Sequence, residues 1–162
     1  MLGAAEADRS ELDAVLLKMG STVLHCGALG SGTRMKLINN LMELCYCQLN
    51  SEALVLASSL GLDVRKTFEV LTGTTASNGQ LKEKWPVKVL KGDLTPGFDI
   101  VLGFKDFTLA CLAAQSAGIS LPMGNVARSL FQLARHAGKD GQDTSSMTDY
   151  WAEANGQVPI HL

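Results

Sequence analysis

The stretch TRMKLINNLMELCYCQLNSEALVLASSL, Thr33 to Leu60, contains neither proline nor glycine. It reads as one uninterrupted helix, on the order of 42 Å long at roughly 1.5 Å per residue. Leu37, Ile38, Leu41, Met42, Leu44, Cys45, Leu49, Leu54, Val55, Leu56 and Leu60 occupy most of its circumference. Such a rod is expected to be buried on several sides and to stand at the centre of the fold. A narrower polar stripe, Lys36, Asn39, Asn40, Glu43, Cys47 and Asn50, recurs every three or four residues and so lies near one side.

Upstream, Leu12, Val15, Leu16 and Met19 give a short amphipathic helix over Glu6 to Met19, stopped at Gly20. Ser21 to Cys26, STVLHC, reads as a brief strand that ends in GALGSG, Gly27 to Gly32. A single strand needs a sheet, and the rest of the chain offers almost no other strand. Residues 1–28 therefore read as the trailing edge of a sheet whose other strands lie outside this sequence. Downstream the pattern is helical. Asp63 caps a helix through Leu71, and the polar turn Thr72 to Gly79 follows. A broken helical stretch from Gln80 is interrupted at Pro86 and closed by KGDLTPGF, Lys91 to Phe98. Further helices are expected over Phe104–Ala117, from Leu121-Pro122 to about Ala137, and within SSMTDYWAEANG, Ser145 to Gly156.

The 162 residues suit one domain, or one domain with the edge of another. With 46% hydrophobic and 19% charged residues the chain can bury a real core, which excludes disorder. Fourteen basic against sixteen acidic residues leave a net charge of −2, too balanced for the basic field that nucleic acid or an anionic membrane attracts. The acidic start MLGAAEADRSELD is unlike a signal peptide, and no long apolar run is free of polar groups, so a soluble, cytoplasmic protein is expected. Cys26, Cys45, Cys47 and Cys111 sit in apolar surroundings and read as buried, reduced thiols. Cys45 and Cys47 are two apart on a helix and face different ways, so no metal site is expected.

The strand, glycine loop and helix invite comparison with the dinucleotide-binding fingerprint, but GALGSGTRM has Met35 where that motif has its third small residue. The helix also runs far too long before any second strand. Lys36 is more telling, because the positive end of the helix dipole disfavours a cation in the first turns, the direction useful to a proton-transferring group. Asn40, one turn on, shares its face and can hold a substrate oxygen. Backbone N–H groups after Gly30 and Gly32 favour an anion such as a carboxylate nearby. The plainer alternative is a lysine that snorkels to water beside solvated asparagines. Lys105 and Asp106 form a second pair at an expected loop-to-helix junction, with Asp106 as a helix-start charge and Lys105 either a solvated lysine, the default for an exposed one, or a cation able to meet a cofactor's polar groups. His25 reads as a satisfied, partly buried histidine, while His136 and His161 read as solvated.

These residues resemble a known family. MGSTVLHCGALGSGTRMKLINN, with the pattern HxGxxGxGxxxKxxNN from His25 to Asn40, is similar to the catalytic signature of the β-hydroxyacid dehydrogenases. FDIVLGFKDFTLACLAAQSAGISLPM, Phe98 to Met123, resembles that family's KDL-type cofactor motif and the helix after it. The resemblance implies a mainly α fold like the C-terminal domain of 6-phosphogluconate dehydrogenase, a helical bundle around one long helix. Residues 29–162 would be this substrate and dimerisation domain, and residues 1–28 the trailing edge of a Rossmann domain. By the same resemblance Lys36 matches the catalytic lysine, Asn40 the substrate-holding asparagine, and Lys105 the lysine near the nicotinamide of NAD or NADP. Gly30 and Gly32 match the glycines that let substrate approach the helix start. The substrate implied is a small β-hydroxy acid of the 3-hydroxyisobutyrate or 2-hydroxy-3-oxopropionate type, and the assembly a homodimer or larger. The family's GxGxxG region and its Ser-Gly-Gly loop have no counterpart here, which implies that the isolated chain is inactive. The rival reading is a non-catalytic helical oligomerisation module derived from the same family. An imine-reducing relative is disfavoured by Lys36.

Overall fold

A computed structural model describes residues 1–162, and the chain is mainly helical. It resolves into two compact units, Met1–Asn40 and Leu41–Leu162.

The first unit opens with strand β1, Leu2–Gly3, which pairs in parallel with β2, His25–Gly27. Parallel neighbours need a crossover, and helix α1, Arg9–Leu16, supplies it after a single 3-10 turn at Glu6–Asp8. β1 escapes sequence reading because two residues carry no alternation. It exists as a strand through bonds such as Leu2 N to Leu24 O at 2.7 Å and Ala4 N to Gly27 O at 2.9 Å. The expected strand at Ser21–Cys26 is shorter and shifted toward the glycine loop, because only His25–Gly27 face the two-residue β1. His25 Nε2 lies 2.9 Å from Asp13 Oδ1, so the histidine ties β2 to α1.

Helix α2 spans Ser31–Ser59 and continues from the first unit into the second, close to the bounds that the absence of proline and glycine predicts. Within the second unit it is followed by α3, Val64–Gly73, whose cap Asp63 accepts a hydrogen bond from Lys66 N. The Gln80–Lys91 stretch winds as one π turn and two 3-10 turns, with Pro86 inside the first 3-10 turn. Helices α4, Ile100–Ser116, α5, Pro122–His136, and α6, Met147–Ala154, complete the unit.

Its core comprises Leu44 and Leu54 of α2, Trp85, Ile100 and Phe107 of α4, Phe131 of α5 and Met147 of α6, all fully buried. Phe107 and Phe131 meet edge to face at 5.2 Å, a favoured aromatic geometry that joins α4 to α5. The α2 rod is not buried on all sides. Leu44, Cys47, Leu54 and Val55 are buried, but Met42, Leu49 and Leu56 are 52%, 57% and 59% exposed. Only one flank of the rod meets the rest of this unit.

The lower part of the polar stripe has internal partners. Asn50 and Asn78 exchange amide hydrogen bonds at 2.9 and 3.2 Å, and Gln80 Nε2 donates to Glu43 Oε1. Of the four free thiols only Cys47 is fully buried, whereas Cys26, Cys45 and Cys111 are half-buried. His161 is not merely solvated, since its Nε2 lies 3.3 Å from Asp149 Oδ2 of α6.

Candidate functional site

The turn that delivers α2 contains two glycines in the left-handed region, Gly27 at φ +111° and Gly30 at φ +87°. At Gly30 an added Cβ would meet open space, so its glycine serves backbone conformation and leaves the helix start uncovered. Gly32 is different. A Cβ there would lie 2.9 Å from Gly3 N and from Met1 O, so this glycine lets α2 start directly against the backbone of β1. The expectation that Gly32 admits substrate thus has a competing structural cause. The N–H that follows Gly30 is also not free, because Ser31 N donates to Ala28 O at 3.0 Å. A cavity of about 460 Å³ borders this turn at Gly27 and Ala28, and Arg9 on its wall is paired with Glu6 at 2.6 Å.

Lys36 lies in the second turn of α2, exposed, and its side-chain ammonium makes no ion pair or hydrogen bond inside the chain. Asn40 stands one turn further along the same face, half-buried, and its Oδ1 accepts from Asn39 Nδ2 at 3.3 Å. The helix thus supplies an amine that no carboxylate neutralises and an amide whose oxygen is already steered by its neighbour. A lysine and an asparagine so placed can exchange a proton with a bound hydroxyl and hold its oxygen.

Lys105 belongs to the second unit, so the structure brings Gly30, Gly32, Lys36 and Asn40 onto one turn and helix start, with Lys105 on a separate element. The Lys105–Asp106 pair is not at a loop-to-helix junction, because α4 begins four residues earlier than expected. Asp99 is the true cap, accepting from Leu102 N at 2.7 Å, and Ile100 N donates to Gln142 O at 3.0 Å. Asp106 is accordingly a buried residue inside α4 and not a helix-start charge. Its Oδ1 holds Lys105 Nζ at 2.9 Å while half of the Lys105 side chain remains exposed. An ammonium restrained by a buried carboxylate and still open to solvent fits the polar end of a nicotinamide cofactor.

Sequence reasoning missed Asp143. Its buried carboxylate accepts from Gly97 N, Phe98 N and Ser145 N at 2.9–3.2 Å, and Lys84 Nζ lies 3.2 Å away. Burial alone would raise its pKa, but these amide donors and the Lys84 charge outweigh it and hold the carboxyl below its ordinary value. Lys84 and Asp143 are far apart in sequence, and no local pattern announces them. Through Gly97 and Phe98 this carboxylate fixes the entry to α4, the helix that carries Lys105.

A family model described as NAD-binding of NADP-dependent 3-hydroxyisobutyrate dehydrogenase matches residues 30–151, which include Gly30, Gly32, Lys36, Asn40 and Lys105. The chain belongs to this 3-hydroxyisobutyrate dehydrogenase family. It is 38% identical over 135 residues to the 3-sulfolactaldehyde reductase of Escherichia coli (strain K12), covering 83% of this chain and 45% of that protein. A probable 3-hydroxyisobutyrate dehydrogenase of Mycobacterium tuberculosis (strain H37Rv) is 32% identical over 148 residues, 86% of this chain and 50% of that one. The solved structure of Mycobacterium tuberculosis 3-hydroxyisobutyrate dehydrogenase with L-serine superposes with a TM-score of 0.84 at 30% identity, over 93% of this chain and 54% of that chain. The chain spans about half the length of the curated relatives it matches.

Proposed function

We propose that this chain is the helical part of an NAD(P)-dependent β-hydroxyacid dehydrogenase acting on a small substrate of the 3-hydroxyisobutyrate or 2-hydroxy-3-oxopropionate type. The observation that carries this reading is the Lys36–Asn40 pair at the start of α2, just after the left-handed Gly30 and inside the family-matched region. Residues 1–28, a parallel strand–helix–strand unit, are the trailing edge of a dinucleotide-binding domain, and residues 29–162 form the helical substrate and dimerisation domain. The nicotinamide cofactor, when bound, supplies or accepts the hydride. Lys36 Nζ takes the proton from the substrate hydroxyl during oxidation and returns it during reduction. Asn40 holds the oxygen from which that proton leaves, Gly30 leaves room for the substrate at the helix start, and Lys105 meets polar groups of the cofactor. The protein works in the cytoplasm, as a homodimer or larger homo-oligomer; the exposed apolar flank of α2 supports the self-association.

In a protein that joins this chain to a dinucleotide-binding domain, Lys36→Met is expected to lower kcat by about 10²-fold or more while circular dichroism stays unchanged. Near-parental turnover by a folded Lys36→Met variant would show that another group moves the proton. For the chain alone, a fluorescence titration with NADH and NADPH is expected to show no saturation at tens of micromolar. Saturable binding that Lys105→Ala weakens would instead assign this chain a larger share of the cofactor site.

A further inference from the structure

Between α4 and α5 the second unit forms a half-open cleft of about 390 Å³, within the range of roughly 300–1,000 Å³ typical of small-molecule pockets. Arg128 of α5 lines it. Its Nε donates to Thr108 Oγ1 at 2.8 Å, and its guanidinium carbon lies 4.7 Å from the centre of the Phe104 ring. A hydrogen bond in the plane and an aromatic face beneath it hold the guanidinium in one orientation.

What Arg128 lacks is a counter-ion, since no carboxylate of the chain lies within ion-pair distance of it. Arg135, one helical stretch further along α5, gives an internal comparison. Its guanidinium lies 4.8 Å from the centre of the same Phe104 ring, but its Nε is paired with Asp140 Oδ1 at 2.9 Å. One ring therefore carries two guanidinium groups, one neutralised and one not. Packing on Phe104 explains both arginines, but it does not explain why only Arg128 is left without an acid.

The other lining groups are suited to an anion with a carbon skeleton. No Asp or Glu lines the cleft, Gln115 and Ser120 offer neutral donors, and Leu112 and Ile119 supply apolar wall. With Nε committed to Thr108, the two Nη groups of Arg128 keep the paired N–H donors that match the two oxygens of a carboxylate. We propose that the α4–α5 cleft binds a small organic carboxylate, its oxygens on the Arg128 fork and its hydrocarbon part against Leu112 and Ile119. The site uses neither Lys36 nor Lys105 and is independent of the dehydrogenase reading.

The test is a ¹H–¹⁵N titration of the 162-residue chain with sodium butyrate, with 1-butanol as the neutral control and sodium phosphate as the inorganic oxyanion. Butyrate is expected to give saturable shifts at Thr108, Gln115 and Arg128, with 1-butanol and phosphate each weaker by about tenfold or more. Arg128→Gln is expected to lose about tenfold in butyrate affinity, and Arg128→Lys to lose part of it, because an ammonium keeps the charge but not the fork. The proposal is overturned if butyrate fails to saturate at tens of millimolar, if 1-butanol binds as well, if phosphate binds these residues as tightly, or if folded Arg128→Gln binds unchanged. Should Arg128→Gln fail to fold, the butyrate and 1-butanol comparison on the parent chain decides alone.

Discussion

At the scale of single residues, Cys47 carries the clearest pH signature. Burial pushes its thiol up to about 12 from the ordinary 9.0, outweighing the Lys84 charge and a hydrogen bond to Thr144. The unfolded thiol ionises near 9 while the folded one keeps its proton, so the unfolded state gains stability as pH rises from about 9 toward 12. Three pKa units correspond to about 4 kcal/mol at most, and nothing is lost below pH 8. Urea midpoints measured from pH 8 to 10.5 are expected to fall less steeply for Cys47→Ala than for the parent, although the variant is less stable at pH 7. Parallel declines would contradict this assignment. Gly32→Ala is a second case, because both atoms its Cβ would strike are backbone and β1 must move. A loss of about 1–3 kcal/mol is expected, together with faster exchange of the Leu2 amide that β1 donates to Leu24. Unchanged protection of Leu2 would mean that the helix start has more room than it shows.

At the scale of elements, α4 depends on two aspartates of different kinds. Asp99 caps it locally, and Asp99→Ala is expected to cost about 1 kcal/mol in thermal or urea unfolding. Asp143 acts from outside the helix by gathering the amides of Gly97, Phe98 and Ser145 with the Lys84 ammonium. Asp143→Asn strands Lys84 without its counter-ion and is expected to cost about 3 kcal/mol at pH 7. The sign with pH is definite. Because the folded carboxyl sits below its unfolded value, its contribution is present above about pH 4 and drains away as pH falls below that. Melting temperature should therefore drop between pH 4 and 2.5 in the parent and drop less in Asp143→Asn; equal slopes would exclude Asp143 as a source of acid lability. The caps at Asp63 and the proline start of α5 were legible because such signals act within one turn. The start of α4 was less so, because its apolar first turn, Ile100 to Gly103, looks equally like an approach to a helix.

For the whole molecule, the outer flank of α2 is an apolar surface with no cover inside the chain. Met42, Leu49 and Leu56 recur every seven residues and are each more than half exposed, the spacing of a seam between two helices. A second copy of the chain accounts for them under the proposed function. Light scattering at micromolar concentration is expected to give a dimeric or larger mass, and Leu49→Glu with Leu56→Glu a monomeric one of unchanged helicity. A monomeric parent would leave this apolar flank to another partner.

Much of this protein was decided locally. The length of α2, the Asp63 cap of α3, the proline start of α5, and the placing of Lys36 and Asn40 on one face follow from helix periodicity and from where glycine, proline and aspartate stand. These are interactions within a few residues, and they can be read in order along the chain. The tertiary structure decided the rest. It made a strand of Leu2–Gly3 by pairing it with His25–Gly27, gave Gly32 a packing role, and split the apolar circumference of α2 into a buried and an exposed flank. It also joined Lys84 to Asp143 and set Arg128 on Phe104 without an acid. Each of these depends on groups distant in sequence, whose meeting no local pattern encodes.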